Sequence, residues 1–241
     1  MTDLVGIVVA LQANYLEVEL DHPPERIPGR LLCTRRSRLS HRGAAVHVGD
    51  RVRVEAVDPV QARAVVAAVE PRSSWLTRPP VANVSLVVVA LAVDQPAFDP
   101  DQASRFLLTA ERTELPVQLL LTKCDLLDED QSAQLKNRLS GWGYEPLLLS
   151  SETGLGMDDL RRRLQDSPLS VLCGPSGVGK SSLLNALMPT LSLRVGAVSG
   201  RLQRGRHTTR HVELFPLNQG SRVADTPGFN RPDLPENPRE L

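Results

Sequence analysis

One run of residues constrains the fold of this chain more than any other feature of its sequence. Between an apolar stretch and a helical one, eight residues match GxxxxGK[ST]: Gly174, Pro175, Ser176, Gly177, Val178, Gly179, Lys180 and Ser181. The glycines let successive backbone N–H groups surround phosphate oxygens, and the N-terminus of the following helix adds positive potential. In this motif the lysine contacts the β- and γ-phosphates, and the serine hydroxyl ligates Mg²⁺. We therefore predict a loop that binds the phosphates of a nucleotide together with Mg²⁺, with Ser182 as a further contact.

The segments around this loop alternate between strands and helices. Strands buried on both faces form continuous apolar runs, which are found at Ser85–Val93, Val117–Thr122, Pro146–Ser150, Ser170–Gly174 and Arg222–Asp225. Helices are predicted at Pro100–Glu114, Glu129–Leu139, Met157–Leu164 and Lys180–Leu187. Strands that alternate with helices indicate a mostly parallel sheet. We therefore predict an α/β domain with a phosphate loop over residues 85–241.

The N-terminal residues 1–72 are predicted to form a separate, all-β domain. Its strands are expected at Val5–Leu11, Tyr15–Leu20, Gly29–Thr34, Arg51–Val57 and Ala64–Val69. Five short strands without a helix favour a small closed barrel of the oligonucleotide-binding (OB) type, and an SH3-like barrel without a nucleic-acid role is the alternative. Residues 73–84 are predicted as a linker, because Pro71–Ser74 and Thr77–Pro80 are expected to interrupt regular structure.

The charge of the chain is zero overall but is unevenly distributed. Arg26–Arg53 carries eight arginines and one acid, and Arg194–Arg210 carries five arginines and no acid. A neutral chain is not a uniformly basic nucleic-acid binder, but two basic segments indicate two places that contact a polyanion. The alternative for each is a solvated face. For the first segment we predict RNA contacts by its central arginines, which are Arg35, Arg36, Arg38 and Arg42.

Several classes of protein are excluded by the composition. The longest apolar run, Leu86–Val93, is far shorter than the ~18 residues of a membrane span, so no membrane partner is expected. The N-terminus has no basic flank typical of a secretory signal. The three cysteines lie too far apart in sequence for a disulfide framework or a zinc site. A reduced, cytoplasmic location is therefore expected.

The base of the nucleotide is predicted from two further motifs. Leu121–Asp125 ends an apolar strand and resembles the NKxD motif of GTPases, with Thr122 in the place of the asparagine. There Lys123 covers the base with its alkyl stem, and Asp125 accepts hydrogen bonds from guanine N1–H and the 2-amino group, which adenine does not offer. The segment Ser150–Gly154 resembles the loop whose backbone N–H groups bind guanine O6. The predicted guanine-site residues are Thr122, Lys123, Cys124, Asp125, Ser150 and Ser151.

The remaining motifs resemble the switch elements of GTPases. Asp225–Gly228 resembles DxxG, in which Asp225 holds Mg²⁺ through water and the Gly228 N–H contacts the γ-phosphate. Thr209 is predicted as a further Mg²⁺ ligand, one that depends on the γ-phosphate, with Thr208 as the alternative. Phe229 stands where a glutamine orients the attacking water in Ras-like enzymes. We therefore predict His207 as the catalytic residue, the alternative being that it contacts only a partner or solvent.

The order of these motifs is circularly permuted, because the base motifs precede the phosphate loop and the switch elements. A parallel sheet tolerates this when the original termini lie close together. The chain resembles the RsgA (YjeQ/EngC) family of bacterial ribosome-biogenesis GTPases over essentially its whole length. The resemblance is carried by Val48–Val52, Arg78–Val84, the GPSGVGKSSLLN run at 174–185, GRHTT at 205–209 and DTPGF at 225–229.

The resemblance implies more than the motifs do. It implies an OB barrel that contacts ribosomal RNA, slow GTP hydrolysis that the small ribosomal subunit stimulates, and a role late in that subunit's maturation. It also implies a zinc domain after DTPGF. Asn230–Leu241 contain no cysteine or histidine, so we expect no zinc ligands in this chain. The chain is then expected to be either a fragment or a truncated product. We expect a monomer that binds GTP or GDP with Mg²⁺. The alternatives are a hydrolysis-poor GTP/GDP-binding RNA module and a P-loop ATPase or kinase, which Asp125 disfavours.

Overall fold

Residues near the N-terminus form a closed barrel of five strands. The computed structural model describes residues 4–12, 14–36, 45–189, 212–217 and 220–225, and of Asp225 only the backbone. The barrel strands are β1 (Leu4–Leu11), β2 (Leu16–Leu20), β3 (Arg30–Arg35), β4 (Arg51–Asp58) and β5 (Arg63–Val69). Neighbouring strands follow the order β1-β2-β3-β5-β4, and β4 pairs back with β1. This closed, mostly antiparallel arrangement confirms the predicted OB-like barrel.

The interior of the barrel explains why these segments are strands. Along β2, buried and half-buried residues alternate, as expected for a strand with one face in a core. Val8, Leu16, Leu31, Val52 and Val66 are all buried and belong to one cluster. Apolar side chains from all five strands therefore share the barrel core.

A short hairpin follows the barrel in the segment that we predicted as a linker. Strands β6 (Trp75–Thr77) and β7 (Pro80–Ala82) pair antiparallel, with Trp75 opposite Ala82. Val81 also forms an isolated bridge with Val48. Arg78 and Pro79 form the turn between the two strands, so regular structure is interrupted there as expected. The expectation is wrong for Pro80, which begins β7, because a proline at the first position of an edge strand needs no ladder N–H.

One further strand belongs to the barrel unit although it lies far along the chain. Strand β12 (Glu213–Pro216) pairs antiparallel with β1, with Glu213 opposite Ala10. The described residues divide into two compact units, one within 1–84 and 211–215 and the other within 85–210 and 216–241. The sequence analysis did not predict β12.

The second unit contains a parallel sheet flanked by helices. Its strands are β8 (Leu86–Ala92), β9 (Val117–Thr122), β10 (Leu147–Leu148), β11 (Leu169–Cys173) and β13 (Arg222–Asp225). They lie in the order β10-β9-β8-β11-β13, and the register of each pair is parallel. All residues of β8 are buried, as expected for a central strand covered on both faces. The predicted mostly parallel α/β sheet is confirmed.

The helices of this unit begin and end close to the predicted positions. They span Pro100–Glu111, Glu129–Ser140, Met157–Gln165 and Lys180–Leu187, and a short 3₁₀ turn covers Cys124–Leu126. Asp99 caps the first helix by accepting hydrogen bonds from two backbone N–H groups, and Asp128 with Gln131 forms a capping box at the second. None of the described helices is long and apolar enough to cross a bilayer.

Candidate nucleotide site

The phosphate loop connects β11 to the helix Lys180–Leu187. Gly174, the first residue after β11, has φ +141°, and a Cβ there would lie 2.1 Å from the backbone oxygen of Ala90 in β8. Gly179 caps the helix with φ +93°. Only glycine fits the close approach at Gly174, and positive φ favours glycine at the cap. These constraints fold residues 174–179 into a tight loop at the C-terminal end of the sheet.

Lys180 directs its ammonium group back into this loop. Its side chain is buried, and Nζ donates hydrogen bonds to the backbone oxygens of Gly174 at 2.8 Å and Pro175 at 2.7 Å. The positive charge therefore lies among the backbone groups that the motif assigns to phosphate. Ser181 and Ser182 follow in the first turn of the helix, where backbone N–H groups lack partners within the helix.

A cavity of about 220 Å³ lies beside the loop and brings the two predicted base motifs to it. Thr122, Lys123 and Asp125 line this cavity, together with Ser151 from the second base loop. Val178, Gly179 and Ser182 line it from the phosphate side. Five further lining residues were not predicted, namely Gln95, Leu126, Leu149, Glu152 and Leu183. Residues that are far apart in sequence therefore share one concave site.

Ser150 holds the carboxylate of Asp125. The Ser150 side chain is fully buried, and its Oγ donates to Asp125 Oδ1 at 2.5 Å. Ser150 Oγ also accepts hydrogen bonds from the backbone N–H groups of Glu152 and Thr153. The Ser150 backbone N–H donates to the Leu155 oxygen, so it is already used within the loop. Ser150 thus orients Asp125 and shapes the loop, a role that its backbone motif did not reveal.

Thr122 connects the base motif to the phosphate loop. Its Oγ1 lies 2.6 Å from the backbone oxygen of Val178 and 3.2 Å from that of Leu91, and the residue is buried. Lys123 has a left-handed backbone conformation, with φ +61°, and its Nζ donates to the backbone oxygen of Gln95. Both side chains therefore contact backbone that borders the cavity.

Cys124 points away from the cavity into the core. Its sulfur donates to the Leu121 oxygen at 3.1 Å, and the residue belongs to the apolar cluster beneath the sheet. Burial raises the pKa of the Cys124 thiol, and burial also raises the pKa of the Cys173 thiol just before the loop. Both cysteines remain protonated at neutral pH and fill space. Cys124 was predicted as a guanine contact only because it lies between Lys123 and Asp125, the two residues that define the motif.

The predicted Mg²⁺ site is only partly within the described residues. Asp225 ends β13 and lies opposite Leu172 of β11, so its backbone is next to the strand that leads into the phosphate loop. Ser181 is the second residue of the helix that follows that loop. Hydroxyl and carboxylate oxygens are donors that suit Mg²⁺. In the described ranges, no three His, Cys, Asp or Glu side chains cluster as metal ligands.

Several predicted residues lie outside the part of the chain that the structure describes. These are His207, Thr208, Thr209, Gly228 and Phe229 of the switch motifs, and Arg38 and Arg42 of the first basic segment. The other two arginines predicted to contact RNA, Arg35 and Arg36, are exposed at the end of β3. Arg36 forms an ion pair with Glu55, whereas no ion pair of Arg35 is found among the described residues.

Comparison with known proteins identifies the family. The sequence model of the RsgA GTPase matches residues 69–235. The small ribosomal subunit biogenesis GTPase RsgA of Parasynechococcus marenigrum (strain WH8102) is 78% identical over 241 residues, which are 100% of this chain and 81% of that protein. The crystal structure of YjeQ from Thermotoga maritima is 33% identical, with a TM-score of 0.80 over 97% of this chain and 77% of that one. YloQ, a circularly permuted GTPase, is 28% identical, with a TM-score of 0.73 over 96% and 74%. The chain therefore belongs to the RsgA family of GTPases and shares their circularly permuted fold.

Proposed function

We propose that this GTPase binds GTP and GDP in the cavity beside the phosphate loop and couples its nucleotide state to binding of the small ribosomal subunit, late in that subunit's maturation. The observation that carries the nucleotide part is the shared cavity, which Asp125, Lys123 and Gly179 line together. The subunit is proposed because the related proteins are named small ribosomal subunit biogenesis GTPases. We place this activity in the cytoplasm, with the chain as a monomer.

Different residues around the cavity bind the base and the phosphates. Asp125 accepts hydrogen bonds from the guanine N1–H and 2-amino groups, and Ser150 keeps its carboxylate oriented for them. Lys123 covers the base with its alkyl stem. Lys180 exchanges its bonds with loop carbonyls for bonds to the β- and γ-phosphates, which are charge-assisted and therefore stronger.

Mg²⁺ is the metal that the family implies, and the oxygen donors at this loop fit it. Ser181 and Asp225 would hold it on either side of the phosphate loop, and Thr209 would add a third oxygen. When bound, Mg²⁺ neutralises charge that develops on the phosphates during hydrolysis. The chain's own contribution is to position the nucleotide and to exclude adenine.

Hydrolysis is proposed to be slow without a partner. Phe229 follows DxxG and cannot orient water by hydrogen bonding, so another group must do so. We propose His207 for this role, because it lies in the arginine-rich segment 194–210, whose charge suits contact with ribosomal RNA. The barrel, residues 1–72, is proposed to bind rRNA through Arg35, Arg36, Arg38 and Arg42, and residues 85–241 to bind GTP.

Base and phosphate binding are tested with two variants. Lys180→Ala should lose GTP·Mg²⁺ binding, because it removes the point charge on the phosphates. Asp125→Asn should shift preference from GTP toward XTP, since an amide donates to the 2-oxo group of xanthine. Unchanged GTP affinity in the first variant, or an unchanged GTP/XTP ratio in the second, would refute the assigned site.

Coupling is tested by single-turnover hydrolysis with and without purified small subunits. We expect the subunits to raise the rate of the wild-type chain and His207→Ala to lose most of that increase while keeping its GTP affinity. A His207→Ala rate within about threefold of wild type, ~0.65 kcal/mol in barrier, would remove His207 from the mechanism. GTP binding without stimulated turnover would instead favour the hydrolysis-poor RNA-binding module.

A further inference from the structure

Three side chains of the barrel unit form an aromatic and cationic cluster that the GTPase site does not use. The guanidinium carbon of Arg72 lies 4.5 Å from the centroid of the Trp75 ring. The His47 ring contacts the same indole edge-on, with centroids 4.6 Å apart. Trp75 is nevertheless 38% exposed, so part of its ring surface remains open to solvent. We name this group of three the Trp75 cluster.

A buried carboxylate holds the Trp75 cluster in place. Asp50 is fully buried, and its two oxygens accept hydrogen bonds from Arg72 Nε at 2.7 Å and from Arg72 Nη2 at 2.9 Å. One of them also accepts the backbone N–H of His47 at 2.8 Å. Arg72 further donates to the Ala45 oxygen. A bidentate pair of this kind fixes the plane of the guanidinium, so the ring contacts are formed before any ligand binds.

Two arginines act on the histidine of the Trp75 cluster. Burial, followed by the charges of Arg72 and Arg35, lowers the pKa of His47, and Asp50 opposes this shift. At neutral pH the imidazole is therefore uncharged and contacts the indole as a neutral aromatic ring. Arg35 is exposed and belongs to the segment Arg26–Arg53, whose net charge is +7. Because the charge of Arg35 acts on His47, a polyanion that binds Arg35 lies near the Trp75 cluster.

We propose that the Trp75 cluster is a stacking site for an unpaired nucleobase of single-stranded RNA. This inference rests on the proposed binding of rRNA by the barrel and names the residues that contact its bases. Unpaired bases stack on aromatic rings and on guanidinium planes, while arginines bind the adjoining phosphates. Duplex RNA keeps its bases stacked internally, so it does not use such a site. A proline-rich peptide could also use an exposed indole, but it would not explain the net positive charge of the neighbouring segment.

The chain contains a matched control for this proposal. Its only other tryptophan, Trp142, is 37% exposed and lies in the second unit, with the guanidinium carbon of Arg138 5.5 Å from its ring. Trp142 thus has nearly the same exposure and the same kind of cation–π contact. Because there are two tryptophans, each single substitution leaves one fluorescent reporter at a known place.

The experiment uses the full chain with Trp142→Phe, in which Trp75 is the only tryptophan. A single-stranded RNA of about 12 nucleotides, within the usual site sizes of such binders, should quench its fluorescence. The matched RNA duplex and inorganic polyphosphate should bind through charge without quenching it. In the converse variant, Trp75→Phe, the fluorescence of Trp142 should not respond to any of the three.

Affinity is measured in parallel by the anisotropy of labelled single-stranded RNA. Trp75→Leu should weaken binding by about 5- to 100-fold, the range for one lost base–aromatic stack. Trp75→Phe should retain most of the affinity, and Trp142→Leu all of it. If Trp75→Leu does not fold, the quenching of Trp75 by single-stranded RNA, and not by the duplex or polyphosphate, still decides.

Two results would overturn the proposal, and they are distinguishable. If single-stranded RNA binds but neither quenches Trp75 nor depends on it, the stacking site is refuted while rRNA binding by the chain stands. Equal quenching by polyphosphate, or quenching by a proline-rich peptide but not by RNA, has the same meaning. If no RNA binds the wild-type chain at all, the proposed rRNA binding fails and the stacking site fails with it.

Discussion

Replacing Thr122 by valine should weaken the binding of every guanine nucleotide to the same extent. Thr122 Oγ1 has a single proton and lies nearest to the Val178 oxygen, at 2.6 Å, so this carbonyl of the phosphate loop loses its partner in Thr122→Val. Valine keeps the shape of the buried side chain. The cost is therefore that of a lost buried hydrogen bond with one partner left behind, ~1–2 kcal/mol.

This cost falls on nucleotide binding, because the Val178 carbonyl is part of the loop that lines the cavity. If the loop loses its shape in the variant, nucleotide binding must restore it. A cost of ~1–2 kcal/mol then lowers the affinity by about 5- to 30-fold. The dissociation constants of GTP and GDP should rise together. Their preference over XTP should not change, since Asp125 is untouched.

The assay is an equilibrium titration with fluorescent GTP and GDP analogues. Thr122→Ser keeps the hydroxyl and should bind nearly as tightly as wild type. Thr109→Val removes a comparable hydroxyl, which donates to the Arg105 oxygen at 2.7 Å on an exposed helix, and should leave affinity unchanged. Affinity of Thr122→Val within about twofold of wild type, or equal weakening in Thr122→Ser, would refute the reasoning.

The other predictions concern orientation, charge and backbone strain. Ser150→Ala should reduce the GTP/XTP preference, measured by competition, because Asp125 loses the hydroxyl that orients it. Burial, with a smaller effect of a neighbouring acid, raises the pKa of Glu213. The folded state therefore favours the protonated carboxyl, and this contribution to stability is lost as the pH rises through that pKa. Glu213→Gln should therefore raise Tm at pH 7 and have little effect at pH ~4, near the ordinary glutamate value. At Gly49 a Cβ would lie 2.1 Å from a backbone oxygen, whereas at Gly143 it would meet no atom within 4 Å. Gly143→Ala should therefore cost only the ~1–2 kcal/mol of left-handed strain. Gly49→Ala should lower the free energy of unfolding, measured in urea, by more than that.

The parts of the fold that the sequence predicts well are those with a strong local signal. The strands Val117–Thr122 and Arg222–Asp225 and the helix Lys180–Leu187 have the predicted bounds. Their apolar runs are buried on both faces, and the glycines of the phosphate loop fix where the helix begins. The cavity is lined by the base motifs and the phosphate loop, which the sequence analysis assigned to a single nucleotide.

The parts that the sequence does not predict depend on contacts between distant residues. Strand β12 is too short and too irregular in its pattern to be recognised without its partner Ala10. The bond from Ser150 to Asp125 joins two loops that follow different strands. Trp75 follows a proline-containing stretch, and nothing local indicates that Arg72 is held over its ring by the buried Asp50.

The pairing of β1 with β12 has a consequence for the order in which the chain can complete its fold during synthesis. The chain passes between the two compact units three times: after Val84, between the described residues 189 and 212, and after Phe215. Ala10 leaves the ribosome about two hundred residues before its partner Glu213. Until then the Ala10 end of β1, beyond the residues Leu4–Ile7 that pair with β4, lacks the partner that β12 provides on that side and is open to other strands. A cut at residue 84 would keep the five strands that close the barrel but would remove the strand that pairs with the Ala10 end of β1, and that strand is made only after the phosphate loop.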